Sequence, residues 1–405
     1  MRKINTRQFH RATRSTPREI NRKIVLNLVR ENQPISRADL ARRMHVSRGL
    51  ITQIVDELIA TDVVFEGATA NAPRGRKPRL LHVHARDRWC VAVDVRFGRT
   101  FAALSDLDGR PVALESFDTP HDPDALVAEL AARVRRLIDG NDVGECEGIG
   151  MVVPGMIHRR TGHILNSPQL GWRDVAIREA LAEATGLRVF IENAPIACAL
   201  AHMWLPPFAG DGADNFVYVT VSDGVGVGVV VDGEVFRGHG DTAGEFGHVP
   251  LSLDGPQCMC GLRGCWEAYT SNVATVARYF GLNAVAPGDR ERLRSSGFTM
   301  EDLVARFRSG DAAARSALLE TGRYLGIGLA GMVTALSPAR IIVGGEITAA
   351  WDLIEPEVRQ WVRERTLTAA AAETPIAAAP AGGTPRLRGA AALLVARRFA
   401  APRVA

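Results

Sequence analysis

The feature that most constrains this chain is a cluster of metal-binding residue types between residues 241 and 267. His248, Cys258, Cys260 and Cys265 lie close together, and three of the six cysteines fall within eight residues. Thiolate and imidazole are donors that Zn²⁺ prefers, and four of them complete its tetrahedral shell. Because no coordination position is then left for water, the pattern predicts a structural zinc site and not a catalytic one. The clustering disfavours the alternative of three buried thiols beside an unrelated histidine.

Two carboxylates stand beside the predicted metal ligands. Glu245 precedes His248 by three residues, and Glu267 follows Cys265 by two. Metal ligation would hold both carboxylates in place. Fixed carboxylates are directional hydrogen-bond acceptors, which suit the hydroxyls of a polyhydroxylated ligand. This spacing is compatible with a carbohydrate site but does not require one.

The first fifth of the chain has a basic excess that the rest does not share. Residues 1–80 hold 17 Lys or Arg against 7 Asp or Glu, whereas the other 325 residues hold 32 against 38. A basic segment joined to an acidic body indicates a nucleic-acid-binding module attached to a second domain.

Three amphipathic helices are predicted within the basic segment. The first covers residues 18–31, and serines can cap the next two, at 36–45 and 47–62. A helix, a short turn and a second helix with a polar start form the helix-turn-helix arrangement, whose second helix enters the major groove of DNA. Four polar residues at the start of the third helix face away from its apolar stripe and are therefore predicted to contact DNA: Ser47, Arg48, Thr52 and Gln53.

Two short strands are predicted after these helices, at residues 63–65 and 80–83. Between them lies a basic stretch held extended by prolines, which is typical of the wing of a winged helix. Its side chains Arg74, Arg76 and Lys77 are predicted to contact phosphates or a narrow minor groove. The alternative is a solvated basic loop without a DNA contact.

The remainder of the chain reads as alternating strands and helices, which predicts an α/β fold. Residues 154–172 read as a loop, and the low-complexity segment 368–384 reads as a surface helix with a flexible loop. Residues 216–221 and 225–231 read as paired strands around Gly224, Gly226 and Gly228. Cys90, Cys146 and Cys198 lie among apolar residues and are predicted to be core thiols.

The runs G-E-F-G-H and C-M-C-G-L-R-G-C-W-E resemble the zinc and sugar motif of the ROK family of repressors and sugar kinases. The resemblance extends over nearly the whole chain and is most specific in this segment. It implies a two-lobed actin-like ATPase fold after the winged helix-turn-helix. A winged helix followed by a G-R-x-P-like linker resembles the ROK repressors, since the kinases of the family lack that segment.

The resemblance also implies that the catalytic apparatus has been lost. ROK kinases carry an acidic residue and glycines in their first phosphate loop; Asp94 matches the acid, but Arg96 and Phe97 replace the glycines. Backbone amides must approach a phosphate closely, and bulky side chains prevent that approach. The general base of the family is an aspartate directly after an asparagine. Here Ala194 follows Asn193, and alanine cannot accept a proton.

The sugar-binding positions of the family are retained. The resemblance assigns sugar contacts to Asn193, Glu245, His248 and Glu267, and it places Gly155 and Asn166 in loops that resemble other sugar-contacting segments. A protein that keeps the sugar-binding residues and lacks the catalytic residues can bind a sugar without phosphorylating it, as a sugar sensor requires.

These observations together predict a sugar-responsive repressor that is not an enzyme. We expect a winged helix-turn-helix domain at 1–85 and an effector-binding and oligomerisation domain at 86–405. The expected partners are operator DNA, a sugar and a second copy of the chain, as a homodimer or a dimer of dimers. No apolar run of membrane-spanning length and no signal-peptide core is present, which indicates a cytoplasmic protein. Two alternatives stay open: an active sugar kinase with a DNA-binding extension, and a constitutive DNA-binding protein.

Overall fold

The computed structural model describes residues 16–69, 78–85, 87–141, 143–206, 214–380 and 384–400. Across these ranges, no helix is both long enough and apolar enough to cross a membrane. The chain forms a small N-terminal unit followed by two lobes, each built on a five-stranded sheet.

The N-terminal unit is a three-helix bundle with a three-stranded antiparallel sheet of order β1-β3-β2. Its elements are α1 (Thr16–Asn32), β1 (Ile35–Ser36), α2 (Arg37–Met44), α3 (Arg48–Ala60), β2 (Val64–Thr69) and β3 (Arg79–Val83). The hydroxyl of Ser36 caps α2 by accepting the Asp39 N–H at 3.2 Å, and Ser47 caps α3 by accepting the Leu50 N–H at 3.3 Å. This confirms the predicted winged helix-turn-helix.

The first lobe has a sheet of order β11-β7-β4-β5-β6. Its elements are β4 (Trp89–Asp94), β5 (Arg99–Asp106), β6 (Pro111–Asp118), α4 (Pro123–Asp139), β7 (Cys146–Val152), β8 (Met156–His158), β9 (His163–Ser167), β10 (Trp172–Val175), α5 (Ile177–Thr185), β11 (Val189–Glu192) and α6 (Ala194–Trp204). Cys90 and Cys198 are buried, whereas Cys146 is only partly buried.

The prediction of a loop at 154–172 was wrong. Three strands form a separate antiparallel sheet in this region, with β9 between β8 and β10. The strands are three to five residues long. Such short strands contain too few residues to show a period of two, so their pairing is decided by the neighbouring strands.

The second lobe has a sheet of order β14-β13-β12-β15-β16. Its elements are β12 (Phe216–Val221), β13 (Val225–Val231), β14 (Glu234–Val235), α7 (Glu267–Thr270), α8 (Asn272–Phe280), α9 (Pro287–Ser296), α10 (Met300–Arg308), α11 (Ala312–Leu336), β15 (Arg340–Gly344), α12 (Trp351–Arg365), α13 (Ala369–Ala372) and β16 (Ile376–Ala378). The last helix, α14 (Pro385–Phe399), returns to the first lobe and packs against its sheet. The predicted pairing of residues 216–221 with 225–231 is confirmed.

The low-complexity segment also departs from its prediction. Besides the short helix α13, it contains β16, which pairs in parallel with β15 at the sheet edge. Ile376 is buried there, whereas the segment was predicted to be surface helix and flexible loop. A single buried isoleucine among alanines carries too weak a signal to identify a strand.

The helices α6 and α14 form a central layer between the two large sheets, with α14 against the first and α6 against the second. Glycines allow this close packing. A Cβ on Gly389 would lie 2.8 Å from the backbone of Ala197, and one on Gly228 would lie 2.6 Å from the carbonyl oxygen of Pro195. Gly226 and Gly228 lie within β13 and leave room for the N-terminal end of α6.

Candidate functional site

The four predicted metal ligands converge. The Nδ1 or Nε2 of His248 and the Sγ atoms of Cys258, Cys260 and Cys265 all lie within 4.8 Å of one another. The Sγ atoms of Cys260 and Cys265 are 3.7 Å apart. Zn–S bonds of about 2.3 Å at tetrahedral angles place two sulfurs about 3.8 Å apart, so the spacing fits zinc.

Local backbone geometry holds these ligands together. His248 ends a 3-10 turn, Phe246–His248, and the cysteines follow in a tight loop. Gly264 has a φ of 71°, and a Cβ there would lie 1.5 Å from the carbonyl oxygen of Ser252, so only glycine fits. Burial raises the pKa of the Cys258 and Cys265 thiols. A bound cation would oppose this rise, because it favours the thiolate form of its ligands.

A cavity of about 520 Å³ lies beside the cluster, between the two lobes. All six residues that the sequence associates with sugar line this cavity: Gly155, Asn166, Asn193, Glu245, His248 and Glu267. They come from three separate regions of the chain. The structure thus brings together the whole predicted set.

His248 belongs to both the cluster and the cavity. Its Nδ1 lies 3.8 Å from the Sγ of Cys258, and its Nε2 lies 3.8 Å from Oε2 of Glu245. Ligation through Nδ1 would leave an Nε2–H donor on the cavity side. Burial raises the pKa of the Glu245 carboxyl, and the nearby His248 opposes that rise.

Glu267 connects the cluster to the sheet of the second lobe. Its Oε2 accepts the Val225 N–H at 2.9 Å, and its Oε1 lies 3.4 Å from the Sγ of Cys258. Gly224 makes this approach possible, because a Cβ there would lie 2.6 Å from Oε2 of Glu267. The lack of a side chain at Gly224 therefore allows the Glu267 carboxylate to take its position at the cavity.

The N-terminus of α6 forms one wall of the cavity. Oδ1 of Asn193 caps the helix by accepting the Ile196 N–H at 3.2 Å, and Ala194 follows as its first residue. Glu192, directly before Asn193, is buried and forms an ion pair of 2.6 Å with Arg237. Ala194 presents only a methyl group to the cavity.

Arg96, which replaces a glycine of the family's first phosphate loop, lines one side of the cavity. Its Nε donates to Oδ2 of Asp94 at 2.8 Å, and its Nη1 donates to Oε1 of Glu346 at 3.1 Å. Since Asp94 belongs to the first lobe and Glu346 to the second, the guanidinium bridges the two lobes. Phe97 lies beside it, with the guanidinium of Arg294 at 4.7 Å from its ring.

The sequence identified Arg96 only as a lost glycine and did not indicate this bridge. It also missed Gln169, Arg173 and Asp223, which line the same cavity. Gln169 and Arg173 follow the sugar-associated Asn166 closely in sequence, and this proximity was the only indication that they belong to the cavity. Asp223 lies between two strands and had none.

The start of α3 is open to solvent, as the helix-turn-helix prediction requires. Ser47, Arg48, Thr52 and Gln53 are all exposed. The hydroxyl of Thr52 donates to the carbonyl of Arg48 at 2.9 Å, so it is held against its own helix. The wing residues Arg74, Arg76 and Lys77 lie outside the described residues.

Residues 90–397 match the ROK family, and residues 18–64 match a winged helix-turn-helix DNA-binding family. The chain is 28% identical to the xylose repressor of Bacillus subtilis over 353 residues, which cover 86% of this chain and 88% of the relative. Among solved structures it resembles a ROK family transcriptional regulator that is a homolog of the E. coli MLC protein. The identity is 27% and the TM-score 0.77, over 94% of this chain and 96% of that one.

A kinase of the family matches the two lobes alone. The ROK family glucokinase from Streptomyces griseus, solved with glucose and AMPPNP, is 27% identical with a TM-score of 0.65. The match covers 98% of the kinase but only 75% of this chain. The two lobes therefore have the actin-like sugar-kinase fold, and the additional segment is the winged helix-turn-helix. The chain belongs to the ROK family and has the domain composition of its transcriptional regulators.

Proposed function

We propose that this protein is a sugar-responsive transcriptional repressor. The observation that carries the proposal is the combination, in one chain, of an exposed polar start of α3 with an interlobe cavity lined by all six sugar-associated residues. The first feature suits DNA, and the second suits a polyhydroxylated ligand. The similarity to a xylose repressor over 86% of the chain supports the same function.

The cavity has the chemistry that a sugar requires. Glu245 and Glu267 offer carboxylate oxygens, Asn193 and Asn166 offer amides, and Trp172 offers an aromatic surface. Carbohydrate hydroxyls need both donors and acceptors in fixed positions. Glu245 and Glu267 flank the metal-ligand loop, Asn193 caps α6, and Asn166 and Trp172 lie on the paired strands β9 and β10.

We propose that the protein is not a kinase. Ala194 cannot remove a proton from a sugar hydroxyl. The guanidinium of Arg96 spans the phosphate side of the cleft through Asp94 and Glu346. Phosphoryl transfer depends on backbone amides and a metal ion around the phosphates, and a bulky ion-paired side chain interferes with that arrangement.

We propose that His248, Cys258, Cys260 and Cys265 hold one structural Zn²⁺. Four protein ligands leave no position for water, so the ion would fix the loop that carries Glu245 and Glu267 and would take no part in a reaction. We propose a DNA-binding domain at residues 1–85 and an effector-binding domain at residues 86–405. A homodimer, or a dimer of dimers, would present two copies of α3 to a symmetric operator.

Changing Gln53 to alanine is expected to weaken binding to operator DNA by about 1–3 kcal/mol and to relax the preference for one base pair. Glutamine at the start of a recognition helix can bind a base edge through both amide atoms, whereas alanine cannot. The measurement is a titration of the full chain with a DNA duplex selected by that chain from a random-sequence library. Gln360→Ala, on the exposed face of α12, is the matched control.

Arg76→Ala is the contrasting variant in the same titration. A wing arginine that contacts phosphate would weaken binding to most sequences and reduce the salt slope by about 1. The base-reading assignment is wrong if Gln53→Ala binds every duplex as the original chain does. The wing assignment is wrong if Arg76→Ala leaves both the affinity and its salt dependence unchanged.

Sugar binding is expected to change operator affinity about 5–150-fold, and Glu245→Gln is expected to abolish that change. Glutamine keeps the size of the side chain but loses the charge that receives sugar hydroxyls. Zinc content and DNA binding without sugar should stay the same. D-xylose, D-glucose and N-acetyl-D-glucosamine are screened by thermal shift, and the stabilising sugar is titrated into the protein–DNA complex.

The matched control is Glu183→Gln, an exposed glutamate outside the cavity. Since coupling between two sites is reciprocal, the DNA must change the affinity for the sugar by the same factor. A sugar that stabilises the protein through this cavity and leaves DNA affinity unchanged would refute the sensor function.

A further inference from the structure

The first helix of the DNA-binding unit caps the ends of two helices from the effector domain. Arg30 Nη1 donates to the carbonyl of Trp204, the last residue of α6, at 3.2 Å. Asn27 Nδ2 donates to the carbonyl of Phe399, the last residue of α14, at 2.8 Å, and Lys23 donates to the carbonyl of Arg398. Carbonyls at helix C-termini lack partners within the helix and carry partial negative charge, so cationic donors bind them well.

Arg30 is held in place by two aromatic rings as well. Its guanidinium lies 4.9 Å from the ring of Trp204 and 4.6 Å from the ring of Phe399. Its Nε is buried without a hydrogen-bond partner in the described part of the chain. A buried charge depends strongly on the few contacts it has, so a small movement of α6 changes the energy of this contact.

The opposite end of α6 lies in the candidate sugar cavity. Asn193 caps the helix through Oδ1, and Asn193, Ala194 and Pro195 all line the cavity. The helix has 11 residues, which corresponds to about 16 Å at 1.5 Å per residue. A ligand that contacts Asn193 thus contacts the N-terminal cap of the helix whose C-terminal end Arg30 holds.

The first turn of α6 is packed too closely to absorb a displacement locally. Gly389 of α14 packs against Ala197, and Gly226 and Gly228 of β13 pack against Pro195. At each of these glycines an added Cβ would lie 2.6 to 2.8 Å from α6. Tightly packed interiors transmit strain because they have no free volume in which to relax.

We propose that α6 is the mechanical link between the sugar cavity and the DNA-binding unit, and that Arg30 is the residue that receives its movement. A ligand on Asn193 shifts α6 and displaces the Trp204 carbonyl and ring from Arg30. The helix α1, and with it α3, then changes its orientation on the effector domain. This inference rests on the proposed sugar response and names the route by which that response travels.

The test compares Arg30→Gln with Arg88→Gln. Arg88 also joins the two domains, since its Nη2 contacts Asp62 at 2.6 Å and its Nη1 contacts Glu147 at 3.3 Å. Its hydrogen bonds and ion pairs in the described part of the chain do not involve α6. For each full-length variant, affinity for the selected DNA duplex is measured with and without a saturating amount of the sugar that stabilises the original chain. Thermal unfolding with the same sugar verifies that each variant folds and binds it.

The ratio of DNA affinities with and without sugar is expected to fall from about 5–150-fold to about 1 in Arg30→Gln, and to stay unchanged in Arg88→Gln. A residue that only stabilises the fold would alter both affinities and leave their ratio intact. Trp204→Phe keeps an aromatic ring over Arg30 and should retain the response, whereas Trp204→Leu should reduce it.

An unchanged ratio in Arg30→Gln would overturn the route through α6. A ratio of about 1 in both arginine variants would also overturn this route, because the coupling would then depend on any contact that joins the two domains. If the original chain binds a sugar without any change in DNA affinity, the proposed function fails and the route fails with it.

Discussion

Replacing Cys260 with serine is expected to reduce the zinc content from one ion per chain to none and to lower the free energy of unfolding of the effector domain by several kcal/mol. Structural zinc contributes about 10–16 kcal/mol of apparent binding free energy in small zinc-dependent folds. Cys260 is exposed, so the change to serine removes a ligand without removing core packing. Elemental analysis gives the metal content, and thermal unfolding gives the loss of stability.

Cys146→Ser is the matched control, because this thiol is partly buried and lies outside the cluster. It should retain one zinc ion per chain. Sugar binding should weaken in Cys260→Ser and not in Cys146→Ser, since the loop between His248 and Cys265 positions two cavity carboxylates. Protein that is prepared without chelators and contains no metal would contradict the zinc assignment.

Sugar-dependent ATP consumption by the purified protein is expected to be at least about 10²–10⁴-fold slower than that of an ordinary sugar kinase. Loss of a general base lowers a reaction rate by about that factor, and the ion-paired Arg96 near the expected phosphate position should lower the rate further. Kinases typically turn over at about 1–100 s⁻¹. A coupled assay with Mg·ATP and each sugar of the panel therefore distinguishes an active sugar kinase from a protein without kinase activity.

The variant Ala194→Asp tests which of the two losses dominates. If the missing base alone limits the reaction, Ala194→Asp should restore measurable turnover. We expect no recovery, because Arg96 still bridges Asp94 and Glu346. Turnover by the original chain at an ordinary kinase rate would refute the non-enzymatic function outright.

Local features of the chain were readable from the sequence because their interactions are local. Ser36 and Ser47 each cap a helix by accepting an N–H three residues ahead, and the apolar stripe of α3 follows from its period of 3.6 residues. The four predicted metal ligands lie between residues 248 and 265, so a tight loop with three glycines suffices to bring them together. The winged helix-turn-helix and the metal cluster were predicted for this reason.

The family resemblance provided what periodicity could not, namely the two-lobed fold and the list of sugar-associated residues. Periodicity alone would have stopped at an α/β class, because strand order depends on pairing between distant segments. The same limit explains the missed sheet of β8, β9 and β10 and the missed edge strand β16. Each has few residues and acquires its register from a neighbour.

Only the tertiary structure decided how the two lobes and the DNA-binding unit meet. Arg96 and Glu346 are 250 residues apart in sequence, and Arg30 and Trp204 are 174 apart. No local pattern encodes such contacts, because they depend on the relative placement of whole elements. The sequence showed Arg96 as a lost glycine and Arg30 as one cation among many in a basic segment. Folding makes the first a bridge between lobes and places the second at the end of a helix that begins in the candidate sugar cavity.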